Sequence, residues 1–360
     1  MPTPEPATPV VLAAGTVGGA GTRVALAAAL RAPFPEGSLA IVPRAFADEA
    51  VRYGWSAKGV STTGALLREI VGTGRDVVWV GFCDRLPLLR GRRREQVLIV
   101  QNPHLYEAPT VEMTWHQRLR LFVLRRWAKA SAARATVIVC TTRSSADAVI
   151  ASTRADPDRV HVEPVPAIDV AQQKHDHRDV IERVLLVGDV YRYKCMDVAV
   201  DAVAAFASRT GRKITVVHIG AVREAVAGTD FDRAIERASP HGVTVEKRGA
   251  TSHPTVIDEM TQADVLLLAS TTETQGMPLI EAHSVGLPTV ARGIGAFADL
   301  ADDASVLTAA DASADEFAAA LLQIDARPER EALAQRGATA HPPAKWWPLP
   351  DHLRRLSTAH

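Results

Sequence analysis

The stretch Glu273-Thr-Gln-Gly-Met-Pro-Leu-Ile-Glu281 sets two carboxylates eight positions apart, with a glycine and a proline between them. It directly follows the apolar run Val265 to Leu268, which is short enough to be a buried strand. Pro278 suits the first turn of a helix, where its missing N–H costs nothing. The stretch therefore predicts strand, loop, helix. Glu273 falls in the loop. Gly276 and Met277 offer backbone N–H groups at the helix N-terminus, where orphan donors and the dipole favour an anion. Glu281 lies about one helical turn in, at the mouth of the same cleft.

Working outward, apolar runs alternate with amphipathic stretches almost throughout, the pattern of an α/β protein with parallel sheets wrapped by helices. Strands are expected at Val10–Ala14, Leu39–Val42, Val77–Val80, Val97–Val100 and Thr136–Cys140, then at Arg183–Val187, Ile214–Ile219, Val243–Val245, Val265–Leu268 and Thr289–Ala291. Helices are expected near 20–31, 62–71, 114–133 and 143–152, then near 195–208, 230–238, 254–262, 277–285 and 314–323. Val160-His-Val-Glu-Pro-Val-Pro-Ala-Ile-Asp169, broken by two prolines, reads as a linker. The expected domains are 1–168 and 169–340, with a final segment 341–360.

At 360 residues the chain is long enough for two domains that each bury a core. Lys+Arg equal Asp+Glu at 41 each, so the global positive field of a nucleic-acid binder is missing. Cys83, Cys140 and Cys195 are far apart and form no C-x-x-C pair, which argues for a reducing compartment and no structural zinc. No stretch approaches the ~20 apolar residues of a membrane span, and the N-terminus has no signal-peptide pattern. The expected location is the cytoplasm, at most on the inner face of a membrane.

Residues 273–281, with Ser270 before them and Ala282-His-Ser-Val-Gly-Leu-Pro-Thr-Val290 after them, resemble the E-x(7)-E motif and its continuation in the family-four retaining glycosyltransferases (glycosyl transferases group one). That family uses the GT-B fold, two facing Rossmann-like domains with parallel sheets. The resemblance covers most of the chain and is specific in the second half. It extends to Val184-Leu-Leu-Val-Gly-Asp-Val-Tyr-Arg-Tyr-Lys-Cys-Met-Asp197, where the family has a diphosphate-binding Arg after the glycine and a Lys at the end of the loop. Lys194 fills the Lys position, but Asp189 stands at the Arg position and Cys195 where the family usually has Gly. Arg192, two residues before Lys194, is the candidate replacement cation. The other reading of Arg192 and Lys194 is a solvated helix start.

In the first half, Gly15-Thr-Val-Gly-Gly-Ala-Gly-Thr22 is similar to the family's glycine loop, in which Gly19 lets the backbone approach the donor; a simple tight turn explains it equally well. Val97-Leu-Ile-Val-Gln-Asn-Pro-His-Leu105 is a strand ending in polar residues. The carboxyl end of such a strand faces the crevice of a doubly wound sheet. Related transferases place a His or Asn here, so the resemblance implies Asn102 and His104 on the acceptor side, the other reading being ordinary surface-loop residues. Arg248, after Val243–Val245, resembles a family loop near the nucleotide.

Two basic clusters remain. One is Arg85 with Arg90, Arg92, Arg93 and Arg94; the other is the helix from Arg118 to Arg134, in which arginines interleave with Leu119, Leu121, Phe122, Leu124 and Trp127. A packed helix with a solvated basic face is favoured over one lying on an anionic membrane, because apolar residues cover too much of it for a clean interfacial stripe. Trp346-Trp347 resembles the aromatic element of the family's last helix, which crosses back to the first domain.

The resemblance implies a retaining, hexosyltransferase-like enzyme that moves a sugar from a nucleotide-diphosphate-sugar donor to a hydroxyl on a saccharide or glycoconjugate. Lys194, Arg192 and the Gly276 and Met277 amides would stabilise the leaving diphosphate, Glu273 would hold sugar hydroxyls, and Glu281 the ribose. No aspartate cluster suggests bound Mg²⁺, so no cofactor and no metal are expected. The alternative is a catalytically weak or inactive sugar-nucleotide-binding protein of the same fold, motivated by Asp189.

Overall fold

Strands β1 (Val10–Ala13), β2 (Leu39–Pro43), β3 (Ser56–Val60), β4 (Val78–Gly81), β5 (Glu95–Val100), β6 (Val137–Cys140) and β7 (Val160–Val162) form one sheet in the order β3-β2-β1-β4-β5-β6-β7. All its pairings are parallel. The computed structural model describes residues 8–14, 20–60, 77–87, 95–102, 105–106, 115–168, 170, 177–345 and 347. The expected helix near 62–71 lies outside them, as do Gly19, His104 and Trp346.

A second all-parallel sheet takes the order β10-β9-β8-β11-β12-β13. Its strands are β8 (Arg183–Val187), β9 (Ile214–Ile219), β10 (Val243–Gly249), β11 (Val265–Leu268), β12 (Thr289–Arg292) and β13 (Ser305–Thr308). The chain divides into two units, Met1–Ile168 with Lys345–His360, and Asp169–Ala344. Each sheet starts in its middle, runs to one edge, then returns to the middle and runs to the other, the doubly wound pattern of a Rossmann-like fold.

In the first unit the helices are α1 (Ala20–Leu30), α2 (Ala47–Arg52), α3 (Trp115–Arg134) and α4 (Arg143–Thr153). One core cluster joins Val11, Ile41, Trp79, Leu98 and Ile138 to Ala128 and Ala132 of α3 and Val149 of α4. The second unit carries α5 (Met196–Thr210), α6 (Ala225–Ala238), α7 (His253–Gln262), α8 (Met277–Val285), α9 (Gly295–Leu300), α10 (Ala314–Gln323) and α11 (Arg327–Ala340). Its core packs Val203 and Phe206 of α5, Phe231 of α6 and Phe317 and Leu321 of α10 against Val184, Val216 and Leu267. Central strands such as β8 and β11 are continuous apolar runs because helices cover both of their faces. Near the C-terminus the Trp347 N–H donates to Ala28 O of α1 at 3.1 Å, and its fully buried ring meets Phe82 edge-on.

Several expectations are corrected. Val160–Val162 is not linker but edge strand β7, and β3, β13, α2, α9 and α11 are additional elements. Helix α6 begins at Ala225 rather than near 230, and β10 runs on to Gly249.

Candidate functional site

In the second sheet the chain reverses its direction of winding between the adjacent strands β8 and β11. The loops leaving two such strands diverge, and a crevice opens at their carboxyl ends. The loop after β8 carries Lys194 and the loop after β11 carries Glu273, so topology alone brings these two residues together. Lys194 Nζ lies 2.6 Å from Glu273 Oε2, and both side chains are mostly buried. The other carboxylate oxygen, Oε1, accepts the Thr274 N–H at 3.0 Å. The two loops are also joined through the backbone, where Thr271 N–H donates to Tyr193 O at 2.8 Å. Burial first, then the carboxylate of Glu273, pushes the Tyr193 phenol up to about 12, so it stays a neutral donor beside the pair.

Beyond Glu273 the backbone turns into α8 through Gly276, at φ 62°, and a Cβ there would lie 2.7 Å from Leu300 Cδ1. Both the left-handed conformation and the close packing require glycine at this point. The N–H groups of Gly276 and Met277 have no acceptor among the described residues, and they open a helix whose dipole favours negative charge. Gln275, between Glu273 and this helix, is buried, and neither of its amide atoms has a hydrogen-bond partner among the described residues.

Glu281, at 4% exposure, is reached by His253, whose Nε2 lies 2.8 Å from Glu281 Oε1. His253 is the first residue of α7, and Ser252 caps that helix by accepting the Thr255 N–H. The carboxylate thus holds one fixed partner and keeps acceptor capacity for hydroxyl groups.

Asp189 does not stand as an unpaired negative charge. Its Oδ1 accepts Ala221 N–H at 2.8 Å and its Oδ2 takes Arg223 Nε at 2.8 Å, so it clamps the loop after β9. Arg192 is exposed; its backbone N–H donates to Glu224 Oε2, and its guanidinium makes no ion pair among the described residues. Cys195 sits at φ 49°, ψ 47°, the left-handed conformation that glycine adopts without strain, which accounts for the family's glycine at this place. Arg248 lies on the edge strand β10 and is paired with Glu246 at 2.8 Å and Glu259 at 3.4 Å.

In the first unit, Asn102 is exposed at the carboxyl end of β5. Its N–H, with that of Gln101, donates to the carboxylate of Asp84, a buried residue at φ 59° in the loop after β4. Burial pushes the Asp84 carboxyl up to about 7, against the opposing pull of these two N–H groups and of Arg85. His104 and Gly19 lie outside the described residues.

Sequence reading missed Arg223, His253, Gln275 and Asp84. Two of them left a signal: Ser252-His253-Pro254 is a helix-opening cap, and Gly220 ends β9 just before Arg223 as Gly188 ends β8 before Asp189. Among the described residues no group of three or more His, Cys, Asp or Glu is placed to hold a metal ion.

Residues 181–326 match the model of the family Glycosyl transferases group 1, in agreement with the resemblance seen at 184–197 and 273–290. Among solved structures, HepE of Anabaena in complex with UDP and glucose aligns with a TM-score of 0.73 at 15% identity, covering 98% of this chain and 100% of that one. Sucrose-phosphate synthase from Thermosynechococcus elongatus aligns at 0.65 with 13% identity, and WaaG, a glycosyltransferase involved in lipopolysaccharide biosynthesis, at 0.62 with 15%; each alignment again covers 98% of this chain and 100% of the other. Likeness at these identities shows the fold, which is GT-B. No curated protein matches the chain.

Proposed function

We propose that the chain is a retaining, metal-independent glycosyltransferase that moves a hexose from a nucleotide-diphosphate sugar to a hydroxyl of a saccharide or glycoconjugate in the cytoplasm. The observation that carries this reading is the placement of Lys194, Glu273 and the Gly276/Met277 amides on the two loops that flank the winding reversal of the second sheet. Lys194 and the helix-end amides stabilise charge on the departing diphosphate, the largest single contribution expected in such a site. Glu273 orients the sugar, Glu281 holds the ribose, and Asn102 with His104 serves the acceptor, which attacks from the face the diphosphate leaves. Arg192 supplies a second cation. The complex of HepE with UDP and glucose supports a nucleoside-diphosphate sugar as the class of donor.

A second reading, a sugar-nucleotide binder with little or no turnover, is favoured by one observation: the place of the family Arg is held by Asp189, committed to Arg223 and Ala221. Release of nucleoside diphosphate from a panel of donors without acceptor separates the two. Slow release, in excess EDTA, fits the transferase; tight binding with no release fits the binder.

A further inference from the structure

Helix α3 is buried along one side only, where Trp127, Ala128, Ser131 and Ala132 enter the core of the first unit. Its first turns carry a second apolar ridge. Trp115, Leu119, Phe122 and Val123 are 66%, 54%, 57% and 54% exposed. At ~100° per residue these four fall on one arc about 100° wide, on the side of the helix away from the core residues. The favoured expectation of a solvated basic face is therefore incomplete, since the solvent side of the first turns is apolar at its centre, and a basic residue, Arg126, falls in line with it only one turn further on.

The ridge is set in positive charge. Arg118 and Arg125 line one flank and Arg120 the other, while Arg126 lies over the Phe122 ring at 5.6 Å. The guanidiniums of Arg118, Arg120 and Arg126 make no ion pair among the described residues. The helix sequence, WHQRLRLFVLRRWAKASAAR, contains no Asp or Glu. An exposed apolar strip bordered by arginines without a single acid is complementary to a surface that is itself apolar beneath a negative layer. No helix of the described residues is long and apolar enough to cross a membrane, so contact of this kind is made from one side.

We propose that the N-terminal half of α3, residues 115–126, is a docking surface for an anionic lipid bilayer. Leu119, Phe122 and Val123 enter the interface between headgroups and acyl chains, and Arg118, Arg120 and Arg126 bind the phosphates. The inference is independent of the catalytic reading, because it concerns the first unit alone and vesicle binding needs no turnover.

The test is co-sedimentation of the full chain with vesicles of phosphatidylcholine alone and with about 30% phosphatidylglycerol, at low and high salt. The parent binds the anionic vesicles, with partitioning at least about tenfold above the neutral ones and lost in high salt. A double variant, Leu119→Ser with Phe122→Ser, and a triple variant, Arg118→Glu, Arg120→Glu and Arg126→Glu, each lower partitioning by more than about tenfold while the melting temperature holds, since all five side chains are at the surface. Three outcomes overturn the proposal: no binding of the parent to anionic vesicles, variants that bind as well as the parent, or a parent dimer that the variants dissolve without any vesicle binding, which would assign the ridge to a second copy of the chain.

Discussion

Lys194 Nζ and Glu273 Oε2 are 2.6 Å apart although 79 positions separate them in sequence. The contact follows from topology, because β8 and β11 are hydrogen-bonded neighbours and each residue sits in the loop just beyond its strand. The two side chains, one basic and one acidic, therefore fix each other's geometry. Removal of either leaves a mostly buried charge unpaired. A double-mutant cycle on Lys194→Ala and Glu273→Ala, read by urea unfolding, gives a coupling of about 0.5–3 kcal/mol. Simple additivity would mean that the pair is not a structural unit.

Cys195 holds the left-handed conformation at the start of α5. Cys195→Gly removes a steric penalty of about 1–2 kcal/mol, partly offset by the greater freedom of glycine in the unfolded chain. The expected net gain is under about 1 kcal/mol, seen as a higher denaturant midpoint at constant m-value, and Cys195→Val goes the other way. A loss of stability in the glycine variant contradicts the assignment of strain.

Asp84 gives a pH signature. Its folded-state pKa is raised from 3.8 to about 7, chiefly by burial, so the folded protein binds the proton more tightly than the unfolded chain does. Folding is therefore most favoured by this group below about pH 4 and loses that contribution as pH rises through 7. The stability of the parent relative to Asp84→Asn should increase by a few kcal/mol, about 4 at most, between pH 8 and pH 4. A difference that is flat with pH would mean that Asp84 is charged in the fold.

Glu281→Ala should weaken nucleoside-diphosphate binding by about 1.5–3 kcal/mol, through lost charge-assisted hydrogen bonds to the ribose. His253→Ala should have a smaller effect of the same sign, since it acts through the position of Glu281. Calorimetry measures both. Unchanged affinity in a folded Glu281→Ala protein would reduce Glu281 to a packed helix residue.

The central strands were legible in the sequence because they are short apolar runs buried on both faces. The strands missed, β3, β7 and β13, are all sheet edges: Ser56-Ala-Lys-Gly-Val60 and Ser305-Val-Leu-Thr308 are half exposed, so no apolar run marks them. At the candidate site, Lys194 and Glu273 were legible through motif and position. The partner of Asp189 was not, because Arg223 reaches it from the neighbouring strand's loop, and a pairing across strands leaves no local pattern. The second apolar face of α3 was hidden for a related reason: opposite apolar ridges on one helix cancel, and only burial tells them apart.

The most direct test of the account is single-turnover release of nucleoside diphosphate from nucleotide-diphosphate hexoses in excess EDTA, comparing the parent with Lys194→Ala and Arg192→Ala. The account predicts release by the parent, a loss of about two to three orders of magnitude in Lys194→Ala, and a loss of about two in Arg192→Ala, with donor still bound. A parent that binds donors but releases nothing, or one whose rate is indifferent to Lys194, would contradict it.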